Sequence, residues 1–154
     1  MPASNCVPYV VLHHVLYGSD PRNAETTTPL QAEFKELLTK VDECDLSDIA
    51  LHASRCRKLI QSIADSEKEI LADVVTEIQR SMREEKPMTT ALLLAVRSSS
   101  TLEDLNEMAG AGLFDSVLNV PASSAENISK AILEVWRSLF TERAVISRRR
   151  YRIP

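Results

Sequence analysis

Residues Ala95 to Asn119 read A-V-R-S-S-S-T-L-E-D-L-N-E-M-A-G-A-G-L-F-D-S-V-L-N, and this stretch decides how the rest of the chain is read. An apolar run, Ala91 to Val96, stops abruptly at Arg97, and three serines follow. A short apolar run bounded by polar residues predicts a buried strand. A fixed cation with hydroxyl and amide donors then stands at the strand's mouth. Further on, the small residues Ala109, Gly110, Ala111 and Gly112 open a second strand-like run. Such an arrangement suits a polyanion held against the backbone, with ATP the first candidate.

Each residue type has a physical reason to be there. Handling a phosphoryl group requires positioning and charge neutralisation more than covalent chemistry. A planar guanidinium that forks onto two oxygens suits this better than a flexible ammonium. Arg97 is therefore the candidate catalytic and phosphate-binding residue, and Ser98 and Ser99 are candidate donors. Gly112 lets the backbone approach a ligand because no Cβ stands in the way. Ser116 offers a hydroxyl on the following strand. Glu103 and Asp104 are near enough in sequence to orient Arg97 or to cap the turn. Taken alone, however, an arginine at a strand end followed by serines also reads as a solvated edge or a helix cap. The A-G-A-G cluster alone reads as a tight turn. No G-x-x-x-x-G-K-[ST] loop is present, which excludes a Walker-type site.

Composition bounds the function classes. The chain has 154 residues, 44% hydrophobic and 26% charged, which fits one domain able to bury a core. Three glycines and 5% aromatic residues argue against a loop-rich or base-stacking module. A formal net charge of −4 gives no electrostatic case for nucleic acid. No apolar run approaches the ~18 residues of a membrane span, and the start of the chain lacks the marks of a signal peptide. Cys6, Cys44 and Cys56 are odd in number without C-x-x-C spacing. That predicts free thiols in a reducing intracellular compartment, cytoplasm or plastid.

The remaining pattern is mostly helical. Val7 to Leu12 reads as a short strand and Gly18 to Pro29 as a surface loop. Leu30, Phe34, Leu37, Leu38 and Val41 share one helical face. A second helix follows Asp45, burying Leu46, Ile49, Ala50, Ala53, Cys56, Ile60 and Ile63. Ser66 and Glu69 have capping-box spacing for a third helix, whose stripe is Ile70, Leu71, Val74, Val75, Ile78 and Met82, closed by Pro87. Ser123 and Glu126 have the same spacing ahead of a helix through Ile128, Ala131, Ile132, Val135, Trp136 and Leu139. The tail from Arg143 begins helical. The expected class is α/β or α+β: helices packed on a few short strands.

The central stretch resembles the nucleotide-binding motif of the pyruvate phosphate dikinase and phosphoenolpyruvate synthase superfamily, V-R-S-S-A-x-x-E-D-L followed by A-G and a strand. Its M-A-G-A-G-L-F-D-S-V wording is most similar to the glucan water dikinases. Leu113 and Phe114 depart from the glutamine pair of synthase-type members, so adenine contacts are harder to infer. The order of elements, through V-W-R-S-L-F-T-E-R-A, resembles the superfamily's ATP-grasp-like domain over essentially the whole chain. The resemblance implies that Arg97 binds the phosphates of ATP, that Ser98 and Ser99 assist, and that Gly112 and Ser116 line the pocket. It implies a reaction moving the β-phosphate of ATP to a catalytic histidine and then to a glucan or, in sister families, to pyruvate. Magnesium would be required, with its ligands outside this chain.

By the same resemblance, residues 1–154 form a partial domain. They lack the upstream segment with a phosphate-binding lysine, the second ATP-grasp lobe and the phosphohistidine domain, and His13, His14 and His52 match no such motif. The isolated polypeptide is expected to be catalytically incompetent. Two other readings stay open: a non-catalytic helical module that binds a partner, and a two-piece enzyme with the missing lobe on another chain. An exposed apolar patch where the second lobe should dock would favour a fragment or split enzyme, and a closed polar surface there an independent module. Elsewhere the residues read blandly. His52 and Cys56 lie four apart on a helix, but two ligands do not make a zinc site, and Cys56 reads as core. His13 and His14 read as partly exposed. Arg143, Arg148, Arg149, Arg150 and Arg152 read as a solvated helix end, with a phosphate or glucan contact as the alternative and Arg143 able to support the nucleotide lobe in the family context. Trp136 reads as core.

Overall fold

The computed structural model describes residues 28–85, 92–98 and 114–150. The strand expected over 7–12, the loop before Thr28, the His13–His14 pair and Pro87 lie outside the described residues, as do Cys6 and Arg152. Among the described residues there are five α-helices and a two-stranded antiparallel sheet, in keeping with the expected helix-rich class.

Helix α1, Pro29–Glu43, begins with a reciprocal cap. The Gln31 amide donates to Thr28 Oγ1 at 3.3 Å, and the Thr28 amide donates to Gln31 Oε1 at 2.8 Å. Pro29 fits the first turn because its missing N–H would have had no helical partner. A 3-10 turn, Leu46–Asp48, leads into α2, Ile49–Ser66. The buried residues Ile49, Ala53, Cys56, Ile60 and Ile63 follow each other at four- and three-residue steps and form one stripe. Leu46 and Ala50, expected on that stripe, are exposed. Leu46 belongs to the tighter turn ahead of the helix, and Ala50 lies ~100° around the axis from Ile49.

Helix α3, Lys68–Glu85, starts only two residues after α2 ends. That leaves no room for the cap expected at Ser66. Its hydroxyl instead donates back to the Ile63 carbonyl at 2.8 Å, closing α2. Leu71 and Val75 of α3 are buried, and Ile70, Val74, Ile78 and Met82 half-buried. Strands β1, Leu93–Arg97, and β2, Ser116–Pro121, come next. Helix α4, Ala125–Ser138, is capped by Ser124, which accepts the Asn127 amide at 3.2 Å. The expected cap, Ser123, is one residue early. The Ser124 amide donates to the Pro121 carbonyl at 3.1 Å, and that turn places Ser123 in solvent. Helix α5, Glu142–Arg150, ends the described chain.

The core lies between the five helices and the inner face of the sheet. Phe34 is fully buried and meets the Phe140 ring edge-on at 5.5 Å and 74°. Burial of a side chain of this size stabilises the fold by roughly 1.5–3 kcal/mol, and Trp136 joins the same cluster. Arg143 and Arg150 are exposed as expected, but the solvated reading of the arginine tail is corrected at Arg148 and Arg149. Arg148 stacks over Phe140 with its guanidinium 5.1 Å from the ring centroid, and Arg149 donates to the Cys44 carbonyl at 2.7 Å. The first residues past α1 offer an unsatisfied carbonyl, and Phe140 offers an aromatic face, so the helix end turns two cations inward. Arg57 likewise donates to the Phe140 carbonyl at 2.7 Å. The pairs Lys40–Glu36, Arg80–Glu77 and Lys130–Glu126, by contrast, are exposed contacts within single helices.

Candidate functional site

The sheet joins Leu93 to Pro121, Leu94 to Val120, Val96 to Val117 and Arg97 to Ser116. Between Leu94 and Val96 stands one residue, but between Val117 and Val120 stand two, so β2 carries a bulge. Its extra residue matters because strand side chains alternate faces. Without it, Val117 and Val120 would point to opposite sides. With it, both face inward beside Leu94 and Val96, against α4. Asn119 absorbs the distortion with φ 59°, a left-handed value that asparagine tolerates better than branched residues do.

The opposite face of the sheet is open among the described residues. Arg97 and Ser116, cross-strand partners, are both exposed at one end of it. Beside them on the same face lie Leu93, 54% exposed, and Leu118, 62% exposed. Among the described residues Arg97 makes no ion pair or side-chain hydrogen bond. Ser98 follows the strand end and is half-buried. Ser99, Glu103, Asp104, Gly112 and Leu113 lie outside the described residues. Two of the expected site residues, Arg97 and Ser116, are therefore brought together from positions 19 apart in sequence.

Several residues hold the two ends of the sheet without having been assigned that role from the sequence. Phe114, just before β2, is buried. The Asp115 amide donates to Ser138 Oγ at 3.1 Å. At the other end, Gln79 of α3 donates to the Ala122 carbonyl at 2.8 Å, and the Ala122 amide to the Leu92 carbonyl at 3.0 Å. Ser138 had a legible signal, a lone hydroxyl on the apolar stripe of α4. Asn119 had none, because an asparagine in a strand announces a bulge only once the register is known.

Other features fit no site. A shallow groove of about 550 Å³ runs between α2 and α4, with Arg57, Lys130 and Arg137 opposed by Asp115 and Glu134. Lys130 is already paired with Glu126, which holds that carboxyl below its ordinary range. Burial pushes the Cys56 thiol up to about 12, which removes it as a nucleophile. Cys44 and Cys56 are free thiols. His52 Nδ1 is buried and makes no hydrogen bond among the described residues. Among those residues no group of three or more His, Cys, Asp or Glu side chains is placed to hold a metal ion. No helix among them is long and apolar enough to cross a membrane.

Comparison with known proteins bears on the same stretch. The family described as "Pyruvate phosphate dikinase, AMP/ATP-binding domain" matches residues 17–154. A phosphoenolpyruvate synthase of Aquifex aeolicus is 33% identical over 124 residues, covering 79% of this chain and 14% of the relative. A rifampicin phosphotransferase of Streptomyces sviceus is 37% identical over 152 residues, covering 97% of this chain and 15% of the relative. A probable phosphoenolpyruvate synthase of Methanocaldococcus jannaschii is 32% identical over 123 residues, 79% of this chain and 10% of the relative. The chain thus spans only about a seventh of the length of the first two relatives. No solved structure gives a significant match. The expected likeness to glucan water dikinases gives way to these synthase and rifampicin-phosphotransferase relatives.

Proposed function

The chain belongs to the pyruvate phosphate dikinase AMP/ATP-binding domain family, and from that premise we propose that it binds ATP across the open face of its sheet, as the nucleotide-binding part of a dikinase. The observation that carries the reading is the cross-strand pair Arg97 and Ser116, exposed at one end of that face. In this reading the exposed guanidinium forks onto phosphate oxygens, and the hydroxyl opposite donates to a third. Ser98, Ser99 and Gly112 complete the phosphate contacts in this reading. Leu93 and Leu118 offer an apolar surface to the nucleoside or to a covering lobe. That exposed apolar surface supports a part of a larger enzyme over a self-contained partner-binding module.

In this reading Arg97 neutralises charge on the phosphates as the β-phosphoryl group of ATP passes to a histidine on a phosphohistidine domain, AMP and, with water, inorganic phosphate being released. The histidine's phosphoryl group then passes to an acceptor. Mg2+ accompanies ATP, with protein ligands expected from a second lobe. The acceptor is best read as of the pyruvate/phosphoenolpyruvate type, given two phosphoenolpyruvate synthase relatives. A rifampicin-type acceptor is the second reading, favoured by a relative matched over 97% of this chain. A glucan acceptor rests only on the wording around Gly112 and ranks below both.

The test is calorimetric titration of Mg·ATP into the chain and into Arg97→Ala. Binding by wild type that weakens at least tenfold in the variant is the expected result, about the loss of one charge-assisted bond. Equal affinity in the two proteins would remove Arg97 from the site.

A further inference from the structure

Ser138 is one of two polar side chains buried in the described chain, at 3% exposed. The other, Gln31, is accounted for by the α1 cap. Ser138 lies at the last turn of α4, in the apolar stripe beside Val135 and Trp136. Its hydroxyl donates to the Val135 carbonyl at 2.7 Å and accepts the Asp115 amide at 3.1 Å, across 23 residues of sequence. A hydroxyl has one proton and two lone pairs. Committing the proton to the helix carbonyl fixes the oxygen and leaves a lone pair aimed at the start of β2.

This bond pins Asp115, and the preceding residue, Phe114, is pinned by burial. Two consecutive residues, one held by a polar and one by an apolar contact, define where the chain enters β2. The next residue is Ser116, the partner of Arg97. We propose that Ser138 is a positioning residue for the nucleotide site, holding the entry to β2 so that Ser116 stays opposite Arg97. The proposal rests on the reading of that sheet end as the phosphate site. It assigns the last turn of α4, which packs against the covered side of the sheet, a role in affinity.

A control exists in the same fold. Ser66 closes α2 with the same kind of bond, its hydroxyl to the carbonyl three residues back at 2.8 Å. Ser66→Ala therefore removes a comparable helix-end bond without touching β2. The experiment is calorimetric titration of Mg·ATP into wild type, Ser138→Ala, Ser138→Thr and Ser66→Ala, each first shown to be folded by its Trp136 signal. Ser138→Ala should bind about three- to tenfold more weakly, as expected for loss of one oriented bond. Ser138→Thr, which keeps the hydroxyl, should recover most of that loss, and Ser66→Ala should match wild type. If Ser138→Ala does not fold, Asp115→Pro takes its place, since it removes the donor and leaves α4 intact. Ser138→Ala binding as tightly as Ser66→Ala would overturn the positioning role. Failure of folded wild type to bind would instead overturn the nucleotide reading on which it rests.

Discussion

Asn119 gives the sharpest test of how the sheet is held. Its φ of 59° places it in the left-handed region, where an ordinary Cβ crowds the following carbonyl oxygen. Its side chain is exposed, so replacing it removes no core contact and isolates the backbone term. Asn119→Gly should stay within about 0.5 kcal/mol of wild type, because glycine adopts this conformation freely. Asn119→Ala should lose about 1 kcal/mol, and Asn119→Val about 2 kcal/mol, since branching at Cβ adds to the crowding. For a domain of this size each kcal/mol lowers Tm by about 2–4 °C. The assay is urea unfolding followed by Trp136 fluorescence, comparing midpoints at a common slope. A valine variant as stable as wild type would refute the claim that β2 depends on a left-handed bulge. The same series bears on the site, because the bulge lets Val117 and Val120 both face inward while Ser116 stays opposite Arg97. The glycine variant should therefore keep whatever affinity for Mg·ATP wild type shows.

Two further outcomes follow from the core and the caps. Burial raises the Cys56 thiol from 9.0 to about 12, so the folded state keeps a proton that the unfolded chain releases above about pH 9. This contribution is fully present below pH 9 and is lost between pH 9 and 12, at a slope approaching about 1.4 kcal/mol per pH unit. The alkaline limb of Cys56→Ala, measured by urea unfolding at stepped pH, should be shallower than that of wild type, and identical limbs would refute the assignment. Thr28→Ala removes one half of the α1 capping box and should lower stability by about 1 kcal/mol. An unchanged urea midpoint would show that the cap contributes nothing.

Apolar periodicity carried most of the helical reading. Phe34, Leu37 and Val41, and Ile49, Ala53, Cys56, Ile60 and Ile63, are buried where their spacing put them. The errors fall where one local signal had to choose between neighbours. Ser66 and Ser123 have capping spacing, but the close approach of α2 to α3 and the turn after Pro121 assign their roles elsewhere. The sequence T-P-L-Q at residues 28–31 has the spacing of a real capping box, yet it sat at the edge of a stretch read as loop. Arg148 and Arg149 look solvated in a run of like charges. Only the tertiary fold brings the Phe140 ring and the Cys44 carbonyl within their reach. In the sheet, the end of β1 at Arg97 was legible from the abrupt stop of an apolar run. Its pairing with Ser116 is a matter of register, which a single strand's pattern does not encode.

The way the arginines are spent has an experimental use. Arg57 and Arg149 tie distant parts of the chain to neutral carbonyl oxygens at contact distance, whereas the Lys40–Glu36, Arg80–Glu77 and Lys130–Glu126 pairs act only within one helix. Dissolved ions screen separated charges, with a Debye length of about 3 Å at 1 M, but they have little hold on a cation already seated on a dipole. Ionic strength thus becomes a handle on this molecule. Raising KCl would attenuate the pull proposed between Arg97 and a triphosphate while the helices stay fastened, so a salt series can separate ligand electrostatics from the integrity of the scaffold.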